Sequence, residues 1–497
     1  MLVTLCGGSA WEKAETAAFL QKKLKVEVCC GMELMIPLDT GEKRPLYEQI
    51  YQYVKDEIRS GRLKAGDRLP STRLLADNLK ISRCTTQMAY EQLLSEGYIE
   101  SVPCKGYYIA GIEELVRMER EPEPGLVFPS QEVKKGPVVD FSPRGVDLER
   151  FPFNAWRKIS KNTLVDDNKE MFAAGDPQGE YGLRAAVGNY LYTARGVYVR
   201  PEQIIIGAGS EYLWMLLAQI LGGPRRMAME NPTYKQAYRV FSGVGMKVVP
   251  ISMDASGMRI YELENSGADI AYVMPGHQYP TGIVMPVKRR QELLMWAMGG
   301  KNRYLIEDDY DSEFRYKGKP IPSLQGMDTA GKVIYIGTFS KSIAPAIRVG
   351  YLALPEKLLG AYRQRAGFYT STVSRIDQNI LYQFMIQGHY ERHLNRMRAV
   401  YKAKHDGLLT GLRELEDIFE IHGEHAGLHV LMTHRGGIAE DELVERAAKG
   451  GVKVYGLSGA LISPDPGIFA STVLLGYGRL SLEEIQEGAE RLKSCWK

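Results

Sequence analysis

The sequence predicts an α/β protein in which an N-terminal winged helix-turn-helix precedes a larger domain with a mostly parallel central sheet. Amphipathic helical patterns and two β-leaning runs occupy residues 40–112, and a Glu- and Pro-rich stretch follows at 113–137. Over residues 138–497, short apolar runs alternate with helical patterns, as in a sheet covered by helices on both faces. A chain of 497 residues is also too long for one compact core, since domains average about 150 residues.

The composition is that of a soluble globular protein. The chain is 44% hydrophobic and 25% charged, and it carries a net charge of +3. Because the whole molecule is not strongly basic, any affinity for nucleic acid has to come from a local group of cations.

The cysteines and the apolar runs predict a cytoplasmic location. The six cysteines form no CxxC pair and no zinc-binding spacing, which favours reduced thiols. The longest apolar run, residues 212–222, is about half the ~20 residues that a bilayer span requires. The first thirty residues lack the charged, apolar and small-residue order of a signal peptide, so we expect neither export nor a membrane partner.

Two segments fall outside the predicted domains. Residues 1–35 are either a short amphipathic extension or translated sequence upstream of a true start at Met32 or Met35, and we favour the second interpretation. Residues 113–137 are rich in glutamate and broken by prolines, so they bury too little apolar surface to order by themselves. They are predicted to be a linker.

The pattern from residue 45 to residue 110 predicts three helices and a hairpin. Leu46, Ile50 and Val54 recur on one helical face, and Ser71 and Ser82 are placed as the N-caps of the second and third helices. Two β-leaning runs, 98–102 and 106–109, flank a Pro-Cys-Lys turn. This order is that of a winged helix-turn-helix.

Small polar and basic side chains begin the third helix, where a helix-turn-helix meets base edges and phosphates. The segment LPSTRLLADNLKISRCTTQMAYEQLLSEGYIESVPCKGYYI resembles the GntR family of winged-helix regulators, which implies a homodimer that binds double-stranded operator DNA. The predicted DNA contacts are Arg73, Ser82, Arg83, Thr85, Gln87, Lys105 and Gly106. The alternative is that Arg73 and Arg83 are solvated surface charges. Residues 43–110 hold 11 Lys or Arg against 8 Asp or Glu, so a few contacts rather than a broad basic field should make binding salt-sensitive.

Lys341 is the strongest candidate for covalent chemistry. It follows a β-run in IGTFSKSIAPAIRVGYL, with Thr338 before it and Arg348 seven residues after it. A Schiff-base lysine has to be presented at a strand end, with a cation and hydroxyls nearby to hold a phosphate. This setting disfavours the alternative of a plain surface lysine. The segment resembles the lysine motif of class I aminotransferases and, more closely, that of MocR-type regulators, the GntR-family members that carry an aminotransferase-like domain.

That resemblance implies a fold-type I aminotransferase-like domain and pyridoxal 5'-phosphate as its cofactor. The cofactor acts as an electron sink only while its pyridine nitrogen stays protonated, which a buried carboxylate enforces, and Asp308 is assigned this role. Tyr310 is assigned the hydrogen bond to the phenolic oxygen of the ring. A metal site is the competing interpretation of Asp308, Asp309 and Asp311, but no histidine accompanies them in the sequence.

Further segments match the family in the expected order over residues 40–497. Gly209, Ser210 and Glu211 follow an Ile-rich run and open a helix whose N-terminal amides suit a phosphate. Tyr234 matches the aromatic residue that stacks on the cofactor ring. The predicted cofactor contacts are Gly209, Ser210, Glu211, Tyr234, Asp308, Tyr310, Thr338, Lys341 and Arg348.

Three positions depart from the family patterns. Tyr279 stands where ordinary aminotransferases carry Asn, which favours sensing over fast turnover. GABA-responsive regulators of this group carry arginines at the positions of Gln236 and Gly459. Without that pair a bidentate carboxylate clamp is missing, so we expect the effector to be pyridoxal phosphate or another amine rather than GABA. The arginines considered as substitutes are Arg239, Arg375 and Arg479.

Three functions are consistent with these motifs. The first is a transcription regulator that binds pyridoxal phosphate covalently through Lys341 and responds to the cofactor or to an amine. The second is a pyridoxal-phosphate-dependent aminotransferase with an appended DNA-binding domain, and the third is a DNA-binding protein whose larger domain has lost the cofactor and only dimerises. The helix-turn-helix argues against the second function, and the intact set of Lys341, Asp308 and Arg348 argues against the third. We therefore favour the first function, with residual transamination left open.

Overall fold

The computed structural model describes residues 34–39, 41, 44–111, 136–165, 169–316, 321–423, 425–464 and 470–497. The chain forms two compact units, Met1–Glu132 and Val133–Lys497. The predicted linker lies outside the described residues except at 136 and 137, and the predicted N-terminal extension lies outside them except at 34 and 35.

The first unit consists of three helices followed by a hairpin. Its elements are α1 (Leu46–Arg59), α2 (Thr72–Leu79), α3 (Arg83–Ser95), β1 (Ile99–Val102) and β2 (Gly106–Ile109). The two strands pair antiparallel. Both predicted N-caps are confirmed, because the Ser71 hydroxyl accepts a hydrogen bond from the Leu74 amide at 3.1 Å and the Ser82 hydroxyl accepts one from the Thr85 amide at 3.2 Å.

The core of this unit is built from one face of each helix. Ile50 and Leu75 are fully buried in it, whereas Leu74 is exposed, although the apolar residues Leu74, Leu75 and Leu79 together predict one buried side of α2. The buried residues of α2 are Thr72, Leu75 and Ala76, and with about 100° between successive residues Leu74 points away from the side that these three share. Leu34 and Ile36 are buried in the same core, which therefore includes residue 34 of the predicted extension.

The second unit alternates strands and helices over most of its length. Its helices are α4 (Phe153–Thr163), α5 (Tyr181–Arg195), α6 (Ser210–Leu221), α7 (Lys235–Gly243), α8 (Ile260–Asn265), α9 (Val287–Met298), α10 (Glu356–Arg365), α11 (Arg375–Ile386), α12 (His389–Leu412), α13 (Glu440–Lys449) and α14 (Leu482–Trp496). Its strands are β3 (Val139–Asp140), β4 (Ile204–Gly207), β5 (Arg226–Asn231), β6 (Lys247–Asp254), β7 (Gly257–Met258), β8 (Ile270–Val273), β9 (Tyr304–Asp309), β10 (Val333–Thr338), β11 (Gly350–Ala353), β12 (Phe419–His422), β13 (His429–His434), β14 (Val452–Lys453), β15 (Tyr455–Gly456) and β16 (Thr472–Gly476).

The central sheet has eight strands in the order β4-β11-β10-β9-β8-β5-β6-β7. Neighbouring strands from β10 to β6 are parallel, whereas β11 runs antiparallel to both β10 and β4, and β7 runs antiparallel to β6. Strand β4 therefore points the same way as β10, and six strands end at one edge of the sheet. The predicted mostly parallel sheet is confirmed.

Helices cover both faces of this sheet. Ile205 of β4 packs in a cluster with α6, α7 and α10, whereas Ile204 and Ile206 pack in a different cluster with α5 and α11. Successive side chains of a strand point to opposite faces, so the Ile-rich run serves both layers.

The C-terminal part of the chain forms a second, smaller sheet of four antiparallel strands in the order β12-β13-β16-β15. Helices α12, α13 and α14 contribute apolar residues to a separate core beside this sheet. Within the described residues, no helix combines the length and apolar character needed to cross a membrane.

Candidate cofactor site and nucleic-acid interface

Five parallel strands of the central sheet end at the same edge of the sheet, and a residue of the candidate site follows each of them. Just after the strand ends lie Gly209 (β4), Tyr234 (β5), His277 (β8), Tyr310 (β9) and Lys341 (β10). In open α/β sheets the carboxyl ends of the strands form the crevice where ligands bind. The structure thus brings together residues that are up to 132 positions apart in the sequence, from 209 to 341.

The Lys341 side chain is enclosed at this edge. Its Nζ donates a hydrogen bond to the carbonyl oxygen of Pro143 at 2.9 Å. Burial lowers the pKa of Lys341 to about 8, against the attraction of Asp311 and with the help of the positive charge of Arg144. A larger fraction of this amine is therefore neutral near pH 7 than in an ordinary lysine, and the neutral amine is the nucleophilic form.

Asp308 occupies the next-to-last position of β9 and is only 6% exposed. Burial raises its pKa to about 7, although the hydroxyl of Tyr272 on the neighbouring strand β8 donates a hydrogen bond to Oδ2 and favours the ionised form. A cation within hydrogen-bond distance would lower this pKa again, because an opposite charge favours the carboxylate. Asp308 is thus suited to partner a protonated ring nitrogen.

Tyr310 lies against a buried histidine–aspartate pair. His277 Nδ1 lies 3.0 Å from Asp311 Oδ2 and 3.0 Å from the hydroxyl oxygen of Tyr310. The carboxylate is the stronger acceptor, so it takes the Nδ1 hydrogen. His277 Nδ1 then cannot accept the hydroxyl hydrogen of Tyr310, which also lies within reach of the Asp311 carboxylate.

The three acids weighed as a metal site have separate partners. Asp308 accepts from Tyr272, Asp309 Oδ2 lies 2.8 Å from Nε of Arg195, and Asp311 pairs with His277. Within the part of the chain that the structure describes, no group of three or more His, Cys, Asp or Glu residues is arranged to hold a metal ion.

A small cradle lies between the start of α6 and the loop after β10. Gly209 has φ +84°, and a Cβ at this position would lie 2.5 Å from Nη2 of Arg348, so a side chain would displace the guanidinium. Ser210 is the first residue of α6, where backbone amides lack partners within the helix. Thr338 donates its hydroxyl to Ser340 Oγ at 2.9 Å. Amides, hydroxyls and a guanidinium are the donor set that a phosphate requires.

Glu211 has a different role from the other predicted contacts. Its carboxylate accepts a hydrogen bond from Arg348 Nη2 at 2.6 Å. Burial is the largest influence on the pKa of Glu211 and opposes ionisation, but the hydrogen bond and charge of Arg348, a backbone hydrogen bond and the charge of Arg144 together hold this pKa below the usual value. A phosphate would therefore compete with Glu211 for Arg348.

Aromatic rings line one side of the crevice. Tyr234 packs edge-on against Trp214, with ring centroids 5.9 Å apart, and against Tyr279 at 5.5 Å. Tyr279 also contacts Tyr310 and His429, at 6.0 and 5.4 Å. Tyr279 thus lies between Tyr234 and the polar side of the site.

The arginines considered as substitutes for the missing clamp are mostly engaged elsewhere. Arg375 Nε lies 3.0 Å from Glu180 Oε1, and Arg479 Nη1 lies 3.5 Å from Asp140 Oδ2. Arg239 is exposed on α7. The position of Gly459 is open, since a Cβ there would meet nothing within 4 Å.

Arg144 and Tyr272 are site residues that the sequence did not reveal. Arg144 follows Pro143, the acceptor of the Lys341 hydrogen bond, in a segment without helix or strand pattern. Tyr272 lies inside an apolar strand and reads as a core residue. Only the order of the strands could have indicated the role of Tyr272, because β8 lies next to β9, the strand that carries Asp308.

The start of α3 presents the predicted DNA contacts in the first unit. Arg83 and Arg73 are exposed at the starts of α3 and α2, and no hydrogen bond or ion pair to either guanidinium occurs among residues 34–111 as described. The Thr85 hydroxyl lies 2.9 Å from Ser82 Oγ, and Gln87 donates to Glu91 Oε1 at 2.9 Å. The two arginines are thus free for phosphates or base edges, whereas the polar side chains already have local partners.

The hairpin turn carries the remaining predicted contacts. Lys105 is exposed at the tip, and Gly106, with φ +109°, begins β2 opposite Val102. Thr86 is fully buried and donates its hydroxyl to the carbonyl of Thr72 at 2.8 Å, which fixes α3 on α2.

Two family models match this arrangement. Residues 46–109 match bacterial regulatory proteins of the gntR family, and residues 145–464 match aminotransferases of class I and II. The chain therefore belongs to the MocR-type GntR regulators: it is a transcription regulator with a GntR helix-turn-helix and an aminotransferase-like domain of fold type I.

Similar proteins span nearly the whole chain. It is 41% identical over 466 residues to the uncharacterized HTH-type transcriptional regulator YhdI of Bacillus subtilis (strain 168), covering 94% of this chain and 98% of that protein. It is 30% identical over 482 residues to the probable rhizopine catabolism regulatory protein MocR of Rhizobium meliloti, covering 93% and 96%. The crystal structure of a multiple substrate aminotransferase from Thermococcus profundus matches with a TM-score of 0.64 and 26% identity, over 73% of this chain and 92% of that one.

Proposed function

We propose that this protein is a cytoplasmic, homodimeric regulator that binds operator DNA and holds pyridoxal 5'-phosphate through Lys341. In this proposal its affinity for the operator depends on the cofactor or on an amine bound to it. The observation that carries the proposal is the position of Lys341 and the buried Asp308 at the same end of the neighbouring parallel strands β10 and β9, with the pKa of the amine lowered to about 8.

The donor set of the crevice fits each part of this cofactor. The phosphate would be held by Gly209, Ser210, Thr338 and Arg348. Arg348 would then exchange its present partner, the Glu211 carboxylate, for the phosphate. The remaining roles fall to Asp308 at the ring nitrogen, Tyr310 at the phenolic oxygen, Tyr234 on the ring face and Lys341 at the aldehyde carbon. When bound, the cofactor supplies an aldehyde that bonds reversibly to primary amines.

The side chains of this chain prepare the site for such a ligand. The enclosed Lys341 amine loses its proton more easily than an exposed lysine does, and Asp308 gains a proton more easily than an exposed aspartate does. Tyr279 fills part of the space beside Tyr234 and Tyr310, which narrows the route to the ring.

DNA binding falls to the first unit in this proposal. Arg73, Arg83 and Lys105 would contact phosphates or base edges, and Ser82, Thr85, Gln87 and Gly106 would shape the surface around them. A dimer would present two such surfaces to the half-sites of an operator.

The second candidate is a working aminotransferase with an appended DNA-binding domain. The intact set of cofactor donors favours it. Two observations disfavour it: Tyr279 replaces the expected Asn, and Gln236 and Gly459 stand where a pair of arginines would form a bidentate clamp for a substrate carboxylate.

The test is the absorbance spectrum of the protein purified with pyridoxal phosphate, before and after borohydride reduction. We expect a visible band and a covalently trapped cofactor in the wild type and in Lys288→Ala, which removes an exposed lysine of α9. Both signals should disappear in Lys341→Ala, while operator affinity in the absence of cofactor is retained. A trapped cofactor in Lys341→Ala would show that another lysine forms the bond, and steady amino transfer to an added keto acid would favour the enzyme.

A further inference from the structure

Arg144 is a cation at the mouth of the crevice that belongs to none of the predicted contacts. We infer that its guanidinium binds the carboxylate of an amino-acid effector whose amine reaches the position of the Lys341 amine. This inference rests on the proposed cofactor function and names the ligand class: α- and β-amino acids, whose carboxylate lies closer to the amine than that of GABA.

The backbone on both sides of Arg144 is held in place. The carbonyl of Pro143 accepts the hydrogen bond from Lys341 Nζ at 2.9 Å. A Cβ on Gly145 would lie 2.6 Å from Cβ of Arg479, and a Cβ on Gly478 would lie 2.5 Å from the carbonyl oxygen of Gly145. The residue between Pro143 and Gly145 is therefore fixed beside Lys341, although its side chain is exposed.

The Arg144 guanidinium has its donors free. Across the described ranges, no hydrogen bond or ion pair to this guanidinium is formed, and the only bond of the residue is from its amide to Ser142 Oγ at 3.4 Å. The neighbouring arginines are engaged, Arg348 with Glu211 at 2.6 Å and Arg479 with Asp140 at 3.5 Å. A free guanidinium offers five N–H groups in a planar fork that matches a carboxylate.

The charge of Arg144 acts on groups from four separate parts of the site. Burial is the largest influence on the pKa of Lys341, Tyr234, Tyr279 and Glu211, and Arg144 lowers the pKa of all four. These groups follow β10, β5 and β8 or lie in α6, so the charge lies close to the point where these elements meet.

The choice of a carboxylate over a phosphate follows from the donors already present. The start of α6, Thr338 and Arg348 form a complete cradle for the cofactor phosphate. Arg144 lies instead on the segment that contacts the amine of Lys341. An amine ligand bound in place of that amine would direct its remaining substituent toward this segment.

The experiment compares amines that differ only by a carboxylate. L-Alanine and β-alanine both become ethylamine when the carboxylate is removed, so ethylamine is the reference for both. The dissociation constant of each is measured from the change in cofactor absorbance, in the wild type, Arg144→Gln, Arg144→Lys and Arg479→Gln. The measured quantity is the ratio of the ethylamine constant to that of the better alanine, because effects on the cofactor itself cancel in this ratio.

We expect a ratio of about ten or more in the wild type, since a hydrogen bond to a charged group contributes roughly a factor of ten or more in affinity. The ratio should fall to about one to three in Arg144→Gln, remain partly in Arg144→Lys, and stay unchanged in Arg479→Gln. Equal losses for alanine and ethylamine in Arg144→Gln, or a fall of the ratio in Arg479→Gln instead, would overturn the inference. A wild type without a cofactor band would instead refute the proposed function, so the two failures are distinguishable.

Discussion

Lys341 and Asp308 carry opposite pKa shifts that have the same cause. Enclosure in the crevice disfavours charge, so it lowers the pKa of the amine to about 8 and raises that of the carboxyl to about 7. Each group would be almost fully ionised at neutral pH on the surface. Inside the crevice both lie close to their titration midpoint, where a ligand charge of either sign changes their protonation.

Gly209 allows the first prediction at the residue scale. Gly209→Ala should weaken cofactor binding by about ten-fold or more, because the new methyl group would occupy the place of the Arg348 guanidinium, 2.5 Å away. The measurement is a titration of the purified protein with pyridoxal phosphate, followed at the visible band.

Gly245→Ala is the matched control for this variant. Gly245 has φ +87°, close to the +84° of Gly209, but a Cβ there meets nothing within 4 Å. Both variants place an alanine at positive φ, which costs roughly 1 kcal/mol or more. Gly209, with ψ 176°, lies in a backbone region that is open essentially to glycine alone. Equal losses of cofactor affinity in the two variants would mean that strain, and not the displacement of Arg348, is responsible.

Glu230 gives a prediction about pH. It is fully buried, and burial raises its pKa to about 7, whereas an unfolded Glu has a pKa of about 4.3. The unfolded state therefore loses this proton first, and the stabilisation present below about pH 4 is lost as the pH rises through 7. In Glu230→Gln, the decrease in unfolding free energy from pH 5 to pH 8 should be smaller than in the wild type by roughly 2–3 kcal/mol.

Denaturant unfolding at pH 5 and pH 8 checks this prediction. Glu149→Gln is the control, because Glu149 is exposed and its substitution should leave the pH dependence unchanged. The same pH dependence in Glu230→Gln and in the wild type would show that Glu230 is already ionised at pH 5.

At the scale of elements, α3 shows which parts of a site a sequence can predict. Its cap by Ser82 is a local interaction three residues long, so the residue types alone indicate it. The strand ends that carry Asp308 and Lys341 were predictable for a similar reason, since short apolar runs bounded by polar residues mark them. Tyr272 and Arg144 were not predictable, because their roles depend on strand order and on a contact between residues 198 positions apart.

Arg83 at the start of α3 carries the prediction for the DNA-binding element. Arg83→Ala should weaken operator binding by about 1–3 kcal/mol for that operator alone if the side chain reads a base. The loss should be similar for all DNA sequences, with a smaller salt dependence, if it binds a phosphate. The measurement is operator affinity over a salt series, with a scrambled duplex as the comparison.

Arg62→Ala serves as the control for this measurement. Arg62 is an exposed arginine of the same unit, but its guanidinium pairs with Glu57 at 2.5 Å. Its removal should leave operator affinity unchanged. Unaltered operator affinity in Arg83→Ala at every salt concentration would remove Arg83 from the interface.

At the scale of the whole molecule, the two units have separate cores and separate chemistry. A regulator of this kind requires that the state of one unit changes the affinity of the other. If cofactor occupancy changes operator affinity by some factor, the operator has to change cofactor affinity by the same factor. Typical coupling factors lie between about 5 and 150.

The last prediction concerns this coupling between cofactor occupancy and operator affinity. Operator affinity should differ between cofactor-free and cofactor-loaded protein by about five-fold or more, and addition of GABA to the loaded protein should add little. The operator titration is repeated with Lys341→Ala, in which added cofactor should have no effect. A shift that occurs only with GABA would show that another residue completes the carboxylate clamp at Gln236 and Gly459.

The hydrogen bond between Lys341 and Pro143 has a mechanical consequence. Pro143 lies seven residues after the first described residue of the second unit, in the stretch that leads from the first unit into the second. A lysine nitrogen that bonds covalently to a ligand keeps fewer hydrogens to donate, so the carbonyl of Pro143 has to find another donor or move. An unsatisfied buried carbonyl costs about 1–3 kcal/mol. In the proposed function, ligand uptake by Lys341 would therefore weaken the hydrogen bond that holds the entry segment of the larger unit.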